Sequence, residues 1–456
     1  MGTSGIDLSS LLSALGSSSS GINVQSAVAA AIAAESGPLT QMEQQQSLLQ
    51  TQTSDINQIQ SDISTLQTAL NALGQPAGAL TSMSTSSSNT SVVTASAEAG
   101  TVAGNHVVVV NNLAATASWY SAEVASGSTT LPTGSFTLTV GSGAPVTVNT
   151  GSGTTGDTLA DLATYINGLG AGVTASVVND SAGSRLAIVS NSSGAASNFT
   201  ISNATGMTFT QAVAGVDASL TVDGIPIDSA SNTVTGAVTG VTFNLLSASP
   251  TAVNVSIAPD SGQISTAVTN FVNAYNTVIG DVNQEYTVGS NGAEGPLAGD
   301  PMLGMLQSEL LSAGSYVGGG TGVSTLADLG ITMNNDGTLT LNTSTLNNAV
   351  QNNFSAVQNF FQGTASNGFA ATLTNQLDTM TDPVSGAFTV DLQSISSENT
   401  DLQNQINDFE TYLNNQTTLL TNEYNLADEA LQQLPIEEQQ LNAELGNPTT
   451  SSSSGS

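Results

Sequence analysis

Acid–base, nucleophilic and metal chemistry each need several reactive side chains brought together, and this chain has few to bring. It contains one histidine, His106, and no cysteine. His106 leads into the β-branched run 107–110, where it reads as a strand residue rather than a pH switch. Histidine-dependent triads and zinc sites are thereby all but excluded. Asp223-Gly224 with Asp228, and Asp336-Gly337, are the best places for a carboxylate-bound calcium ion. Neither has the alternating acidic ligands and closing glutamate of a calcium loop, and Asp-Gly pairs form turns. Gly318-Gly-Gly320 lacks the aspartate of calcium-binding nonapeptide repeats and reads as a loop. A carboxylate pair for glycosidic cleavage would want an aromatic-lined cleft, and the only tryptophan is Trp119, beside Tyr120. Arg185, after the turn 181–184, reads as a solvated residue paired with some carboxylate. No residue is assigned a catalytic, cofactor-binding or metal-binding role.

The residues with the clearest spacing do a different kind of work. Met42, Leu49, Ile56, Ile63 and Leu70 recur every seven residues, with Ile59, Leu66 and Leu73 between them. Leu392, Ile406, Leu413, Leu420, Leu434 and Leu441 repeat the pattern near the other end, interleaved with Ile395, Leu402 and Phe409. So narrow an apolar stripe needs a partner helix. Ile56, Ile59, Ile63, Leu66, Leu70, Leu402, Ile406, Phe409, Leu413 and Leu420 are therefore expected to form a coiled-coil and assembly seam, left unsatisfied within one molecule. Gln45, Gln52, Asn399 and Gln416 interrupt it, trading stability for register. The C-terminal ribbon outlasts its N-terminal counterpart.

Composition narrows the partners. Against 34 Asp and Glu there is one Lys or Arg, and the net charge is −33, although charged residues make up only 8% of the 456. Phosphate backbones and anionic membrane surfaces are held by cations this chain lacks, so no nucleic acid is expected as a partner. No 18-residue apolar run suggests membrane insertion, and the first fifteen residues carry no positive n-region of a secretory signal. Carboxylate repulsion at neutral pH suggests an acidic native medium, and the scarcity of Lys and Arg would alternatively suit one rich in proteases that cut after basic residues.

Residues 1–21 and the tail from 447 read as disordered. Helices are expected over about 24–35, closed by Gly37 and Pro38, and over about 39–73, roughly 50 Å of rod. Residues 81–100 read as a Ser/Thr linker that turns into a strand at Val92-Val93. Strand signals then run to about 258, including a hairpin at 136–148 and single strands over 219–227 and 241–246, broken by a helix at about 158–169. A broad apolar face over 264–282 predicts a bundle helix. A short helix near 302–311, a hairpin around Asn335-Asp-Gly337, two Phe-bearing helices and a final heptad helix interrupted by Pro435 complete the chain. The fold class expected is α+β multidomain. N- and C-terminal helices pair into a coiled-coil or helix-bundle stalk, with β-rich domains inserted between them. The expected divisions are a terminal leg region (1–38 and 411–456), a stalk with a β-hairpin (39–84 and 260–410), a β-rich head (85–117 and 214–259), and a second head (118–213) inserted in the first.

Three segments resemble the flagellar hook-associated protein 2 family, the FliD-type filament cap proteins. The first is Glu35-Ser-Gly-Pro-Leu39 leading to Leu66-Gln-Thr-Ala-Leu70. The second is Leu220-Thr-Val-Asp-Gly-Ile-Pro-Ile227, then Asn232-Thr-Val234, Gly240-Val-Thr242, Leu245 and Phe271-Val-Asn-Ala-Tyr-Asn276. The third is Leu326-Ala-Asp-Leu-Gly-Ile331 with Asp336-Gly-Thr-Leu-Thr-Leu341 and Phe360-Phe361. The scarcity of Lys and Arg departs from the family.

The resemblance implies a non-enzymatic structural protein, secreted by type III export and sitting outside the cell at the flagellum tip. It implies a ring-like homo-oligomer that helps exported flagellin fold and insert, with hook-filament junction proteins as neighbours. It also implies a cytoplasmic export chaperone at the C-terminal region, about 411–456, and no cofactor. A surface adhesin or a secretion-needle tip protein is the alternative.

Overall fold

A computed structural model describes residues 23–289, 292–363 and 367–445. The expectations for 1–21 and for the tail from 447 lie outside the described residues. The helices are α1 (Val24–Glu35), α2 (Gly37–Gly74), α3 (Leu159–Gly168), α4 (Ser261–Glu285), α5 (Pro301–Ala313), α6 (Thr343–Gln362), α7 (Phe369–Thr381) and α8 (Ala387–Leu445). All but α3 lie at the two ends of the chain. Their apolar faces, excepting α1 and the far part of α8, close one core.

Local chemistry sets the helix limits. Pro38 does not end α1; it sits in the first turn of α2, where its missing N–H is no loss. Asp260 caps α4, its Oδ1 accepting from the Gln263 N–H at 3.0 Å. α8 runs unbroken through Pro435. One missing ladder bond does not stop a helix whose carbonyls there face solvent.

The bundle core is α2 against α4, with α7 and α8 alongside. Phe369 is its aromatic centre. Its ring lies 5.5 Å from those of Phe271, Tyr316 and Phe360 and 6.1 Å from Phe361. Burial holds the Tyr275 phenol well above its ordinary range, so it stays protonated and its hydroxyl donates to the Leu310 carbonyl at 2.7 Å.

Among the described residues, seventeen strands are numbered in chain order. A first β-rich core joins two sheets. One runs in the order β1 (Met83–Ser87), β15 (Ser249–Pro259), β3 (Gly104–Asn112), β11 (Ala218–Val222), β12 (Ile225–Ser229). The other runs β13 (Thr233–Val238), β14 (Val241–Leu245), β2 (Val93–Ala97). Val108, Val110, Leu220, Phe243 and Val255 fill the space between them. A second core lies under β10 (Phe209–Val213), β4 (Ser118–Ser121), β8 (Ser184–Ser190), β7 (Val173–Asn179) and under β6 (Val146–Thr150), β5 (Gly134–Val140), β9 (Phe199–Ser202). It is completed by Leu159, Leu162 and Ile166 of α3. The chain leaves the first core after β3 and returns to it at β11, and the residues between supply the second core. A hairpin, β16 (Ile331–Met333) with β17 (Leu339–Leu341), packs on the helical bundle.

Two sequence expectations need correction here. The 81–100 linker contains β1, whose Met-Ser-Thr-Ser-Ser carries almost no apolar signal. It is a strand because its backbone pairs in register with β15, Met83 opposite Pro259 and Ser87 opposite Val255. The stretch 219–227 is a hairpin rather than one strand. Asp223 (φ 53°) and Gly224 (φ 81°) make a two-residue turn between Val222 and its partner Ile225, as Asp-Gly favours. β12 is an edge strand, and Pro226 removes one of its donors, which discourages another chain from adding to it.

Three asparagines act as side-chain ladder rungs. Each grips the N–H and C=O of one backbone residue. Asn276 of α4 holds Leu339 of the hairpin (2.6 and 2.8 Å), Asn232 holds Ala114 in the crossover between heads (2.7 and 3.0 Å), and Asn167 of α3 holds Ala175 (2.7 and 2.9 Å). Replacing Asn276 by alanine strands both backbone groups of Leu339. It is expected to lower unfolding free energy by about 2 kcal/mol in urea denaturation, with an unchanged signal from the heads.

Candidate assembly interface

The two apolar ribbons meet different fates. On α2, Ile56, Ile59, Ile63, Leu66 and Leu70 are sealed within the chain. The expectation that these five remain unsatisfied in one molecule is therefore corrected. The broad apolar face of α4 covers them, and the flanks of α7 and α8 close the gap. On α8, Leu402 and Ile406 join the same core, and Leu413 is buried farther along. Phe409 is half-buried, its ring 5.6 Å from that of Tyr412, and Leu420 is half-buried too.

α1 lies along the outer stretch of α8, antiparallel to it. Tyr412 Oη donates to Glu35 Oε2 at 3.4 Å. Farther out, Val24, Val28 and Ile32 of α1 line a shallow groove with Thr417, Thr421 and Asn425 of α8. Beyond Asn425 the described chain offers α8 nothing to pack on. Leu426 is 66% exposed, Leu434 55% and Leu441 58%, and Leu431, Ile436 and Leu445 are exposed with them. These last twenty residues of α8 extend about 30 Å. Leu419, Leu426, Leu431, Ile436 and Leu445 were not singled out by the heptad reading. They broaden the stripe into a wider face, and their signal in the sequence was only that α8 outlasts its partner.

Glutamine amides do between helices what Lys and Arg usually do. Gln45 Nε2 donates to Glu398 Oε1 at 3.0 Å, Gln46 to Gln403 at 2.7 Å, and Gln67 to Asp378 at 2.7 Å. Gln52 turns instead to the Pro296 carbonyl at 2.8 Å, and Gln416 to the Tyr412 hydroxyl at 3.3 Å. Asn399 Oδ1 is buried without a partner. A neutral donor needs less desolvation than an ammonium, so these contacts can form and break cheaply.

The remaining polar residues of interest lie in the heads and in the hairpin on the bundle. His106 Nδ1 lies 2.7 Å from Asp223 Oδ2, and the Val107 N–H donates to Asp223 Oδ1 at 2.8 Å. The amide first, then the imidazole, hold the Asp223 carboxyl below its ordinary range. Arg185 has specific partners: Glu123 at 2.7 Å, Asp180 at 3.8 Å, and the Tyr120 ring 5.9 Å away. Asp336 turns its carboxylate to the Thr338 N–H and hydroxyl, a turn-closing role. Among the described residues no three of His, Asp and Glu are placed to hold a metal ion, and no helix is long and apolar enough to cross a membrane.

Residues 20–117 match the family model of the flagellar hook-associated protein 2 N-terminus, and residues 215–435 match that of its C-terminus. The chain belongs to the flagellar hook-associated protein 2 family. Within the interval between these matches, residues 135–192 match the flagellin hook IN motif. Among relatives in this family, the A-type flagellar hook-associated protein 2 of Pseudomonas aeruginosa is 34% identical over 155 residues, 32% of each chain. The B-type protein of Pseudomonas aeruginosa is 27% identical over 263 residues, 50% of this chain and 54% of that one. The matched segments thus span about a third to a half of those relatives' length. The crystal structure of the flagellar cap protein FliD D1-D2-D3 domains from Escherichia coli superposes with a TM-score of 0.57 at 26% identity, over 75% of this chain and 99% of that one. The multidomain α+β architecture is therefore that of the family.

Proposed function

We propose that this chain is a structural cap at the distal end of the bacterial flagellar filament, where it promotes folding and insertion of exported flagellin. One observation carries the reading. Three cores are closed, yet α8 continues as a long helix whose leucines find no mate in the same described chain. A helix built this way is made to pack on other helices. Flagellin arriving at the tip, neighbouring copies in a ring-like oligomer, hook-filament junction proteins and a cytoplasmic export chaperone at about 411–456 are the partners proposed for it. The role is non-catalytic and extracellular.

The working parts follow the cores. The division proposed is a leg region (1–38 and 411–456), a bundle stalk (39–84 and 260–410), a first head (85–117 and 214–259) and a second head (118–213) inserted in the first. Phe409, Leu420 and the exposed leucines beyond them form the assembly face, and Leu413 is buried beneath it within the chain. Ile56, Ile59, Ile63, Leu66, Leu70, Leu402 and Ile406 hold the stalk that presents it.

Deletion of the gene from its own flagellated host tests the role. Cells without the protein are expected to stop swimming and to shed monomeric flagellin into the medium, with both defects reversed by the intact gene. An adhesin mutant would swim normally and shed nothing.

A further inference from the structure

Two carboxyl pairs join helices of the bundle with no cation between them. Asp281 of α4 has a buried Oδ2 with no donor, and the carboxyl of Asp62, on α2, lies within hydrogen-bonding reach. Asp391 of α8 also has a buried Oδ2 with no donor, and it meets the carboxyl of Asp300, the cap of α5. Asp300 Oδ1 already accepts from the Met302 N–H at 2.8 Å. Facing carboxylates repel, and a buried acceptor without a donor loses its hydration for nothing. One proton placed between the two groups removes both penalties.

We propose that each pair holds one shared proton in the closed bundle, making the α2–α4 and α5–α8 contacts a pH-sensitive lock that tightens in mildly acidic medium. Every charged group near the pairs has the same sign. Asp281 faces Asp62 from α2 and Glu285 from its own helix, and Glu285 faces Asp55 of α2 while its Oε2 accepts from the Leu297 N–H. Asp391 faces Asp300. The chain's one arginine, Arg185, is in β8 and its one histidine, His106, is in β3, so neither can neutralise these sites.

Burial, and then the neighbouring carboxyl, pushes Asp281 up to about 6; the same causes push Asp391 up to about 6. Burial raises Glu285 and Asp55 as well. The sign follows from linkage. A group whose folded pKa lies above its unfolded value takes up its proton on folding. Its contribution is complete below the unfolded value, about 4, and is lost as pH rises through about 6. In the bundle, Asp328, Asp336 and Asp382 are held low by backbone or side-chain donors and act oppositely, but only as pH falls below the ordinary carboxylate range. The most stable bundle is therefore expected between those windows.

Thermal melting of the full chain tests the lock. The bundle transition is expected to rise by roughly 5 °C from about pH 7.5 to about pH 5. The Asp281→Asn/Asp391→Asn double variant places an amide donor in each pair. It should melt at neutral pH like the wild type in acid and lose most of the pH slope. Asp408→Asn/Glu410→Gln removes the same charge from the exposed side of α8 and should keep the slope. No rise in the wild type, an undiminished slope in the first double variant, or an equal loss in the second would overturn the proposal. If the first variant does not fold, Asp62→Asn/Asp300→Asn carries the amide on the opposite member of each pair, with the same expectation.

Discussion

Replacing Leu426 and Leu434 by aspartate is expected to abolish filament growth and swimming without unfolding the protein. Both side chains are more than half exposed, and neither belongs to the three cores. The folded chain therefore loses little, and circular dichroism and melting of the purified variant should match the wild type. An assembled helix packing would lose about 1.5–3 kcal/mol of apolar burial at each site and would gain two charges to desolvate. Several-fold stronger loss than an alanine pair at the same positions is the expected order. Normal motility in the aspartate variant, or a collapsed melting profile, would remove distal α8 from the assembly face. Leu413→Asp is the poorer probe, because Leu413 is already buried within the chain and its loss would confuse folding with assembly.

Phe369→Ala is expected to give the largest loss of stability in the bundle, about 3–5 kcal/mol. Phe369 is 1% exposed and joins α4, α6, α7 and the Tyr316 loop through four ring contacts. The cavity left by its removal opens at the meeting point of elements that cannot all collapse inward. The heads have cores of their own, so their unfolding transition should stay where it was while that of the bundle drops. Tryptophan fluorescence separates the two, since Trp119, the only tryptophan, lies in the second head. A parallel shift of both transitions would mean that heads and bundle unfold as one unit.

The motifs quoted from the sequence gain a physical meaning from these contacts. Phe271-Val-Asn-Ala-Tyr-Asn276 supplies a ring to the aromatic centre, a buried phenol bonded to Leu310, and the amide that clamps Leu339. Leu339 belongs to the Asp336-Gly-Thr-Leu-Thr-Leu341 segment, so two motifs distant in the chain are one contact in space. Asn232 does the same between the Asn232-Thr-Val234 segment and the crossover at Ala114. Such clamps carry no periodicity, so no one-dimensional pattern assigns these asparagines their partners.

The sequence by itself determined the broad layout: helical ends, a strand-rich middle, and an apolar ribbon near the C-terminus that outlasts its N-terminal counterpart. Periods of seven and two are local properties, and local sterics with burial are enough to express them. Which stripe would be hidden was a different matter. Ile56 and Leu434 look alike in a one-dimensional pattern, and their fates diverge because α4, α7 and α8 happen to surround the first and leave the second bare. Tertiary structure alone decided that, as it decided that Met83–Ser87 is a strand and that Asp281 meets Asp62. Each of these depends on a partner brought from far along the chain, and no run of neighbouring residues records which partner will arrive.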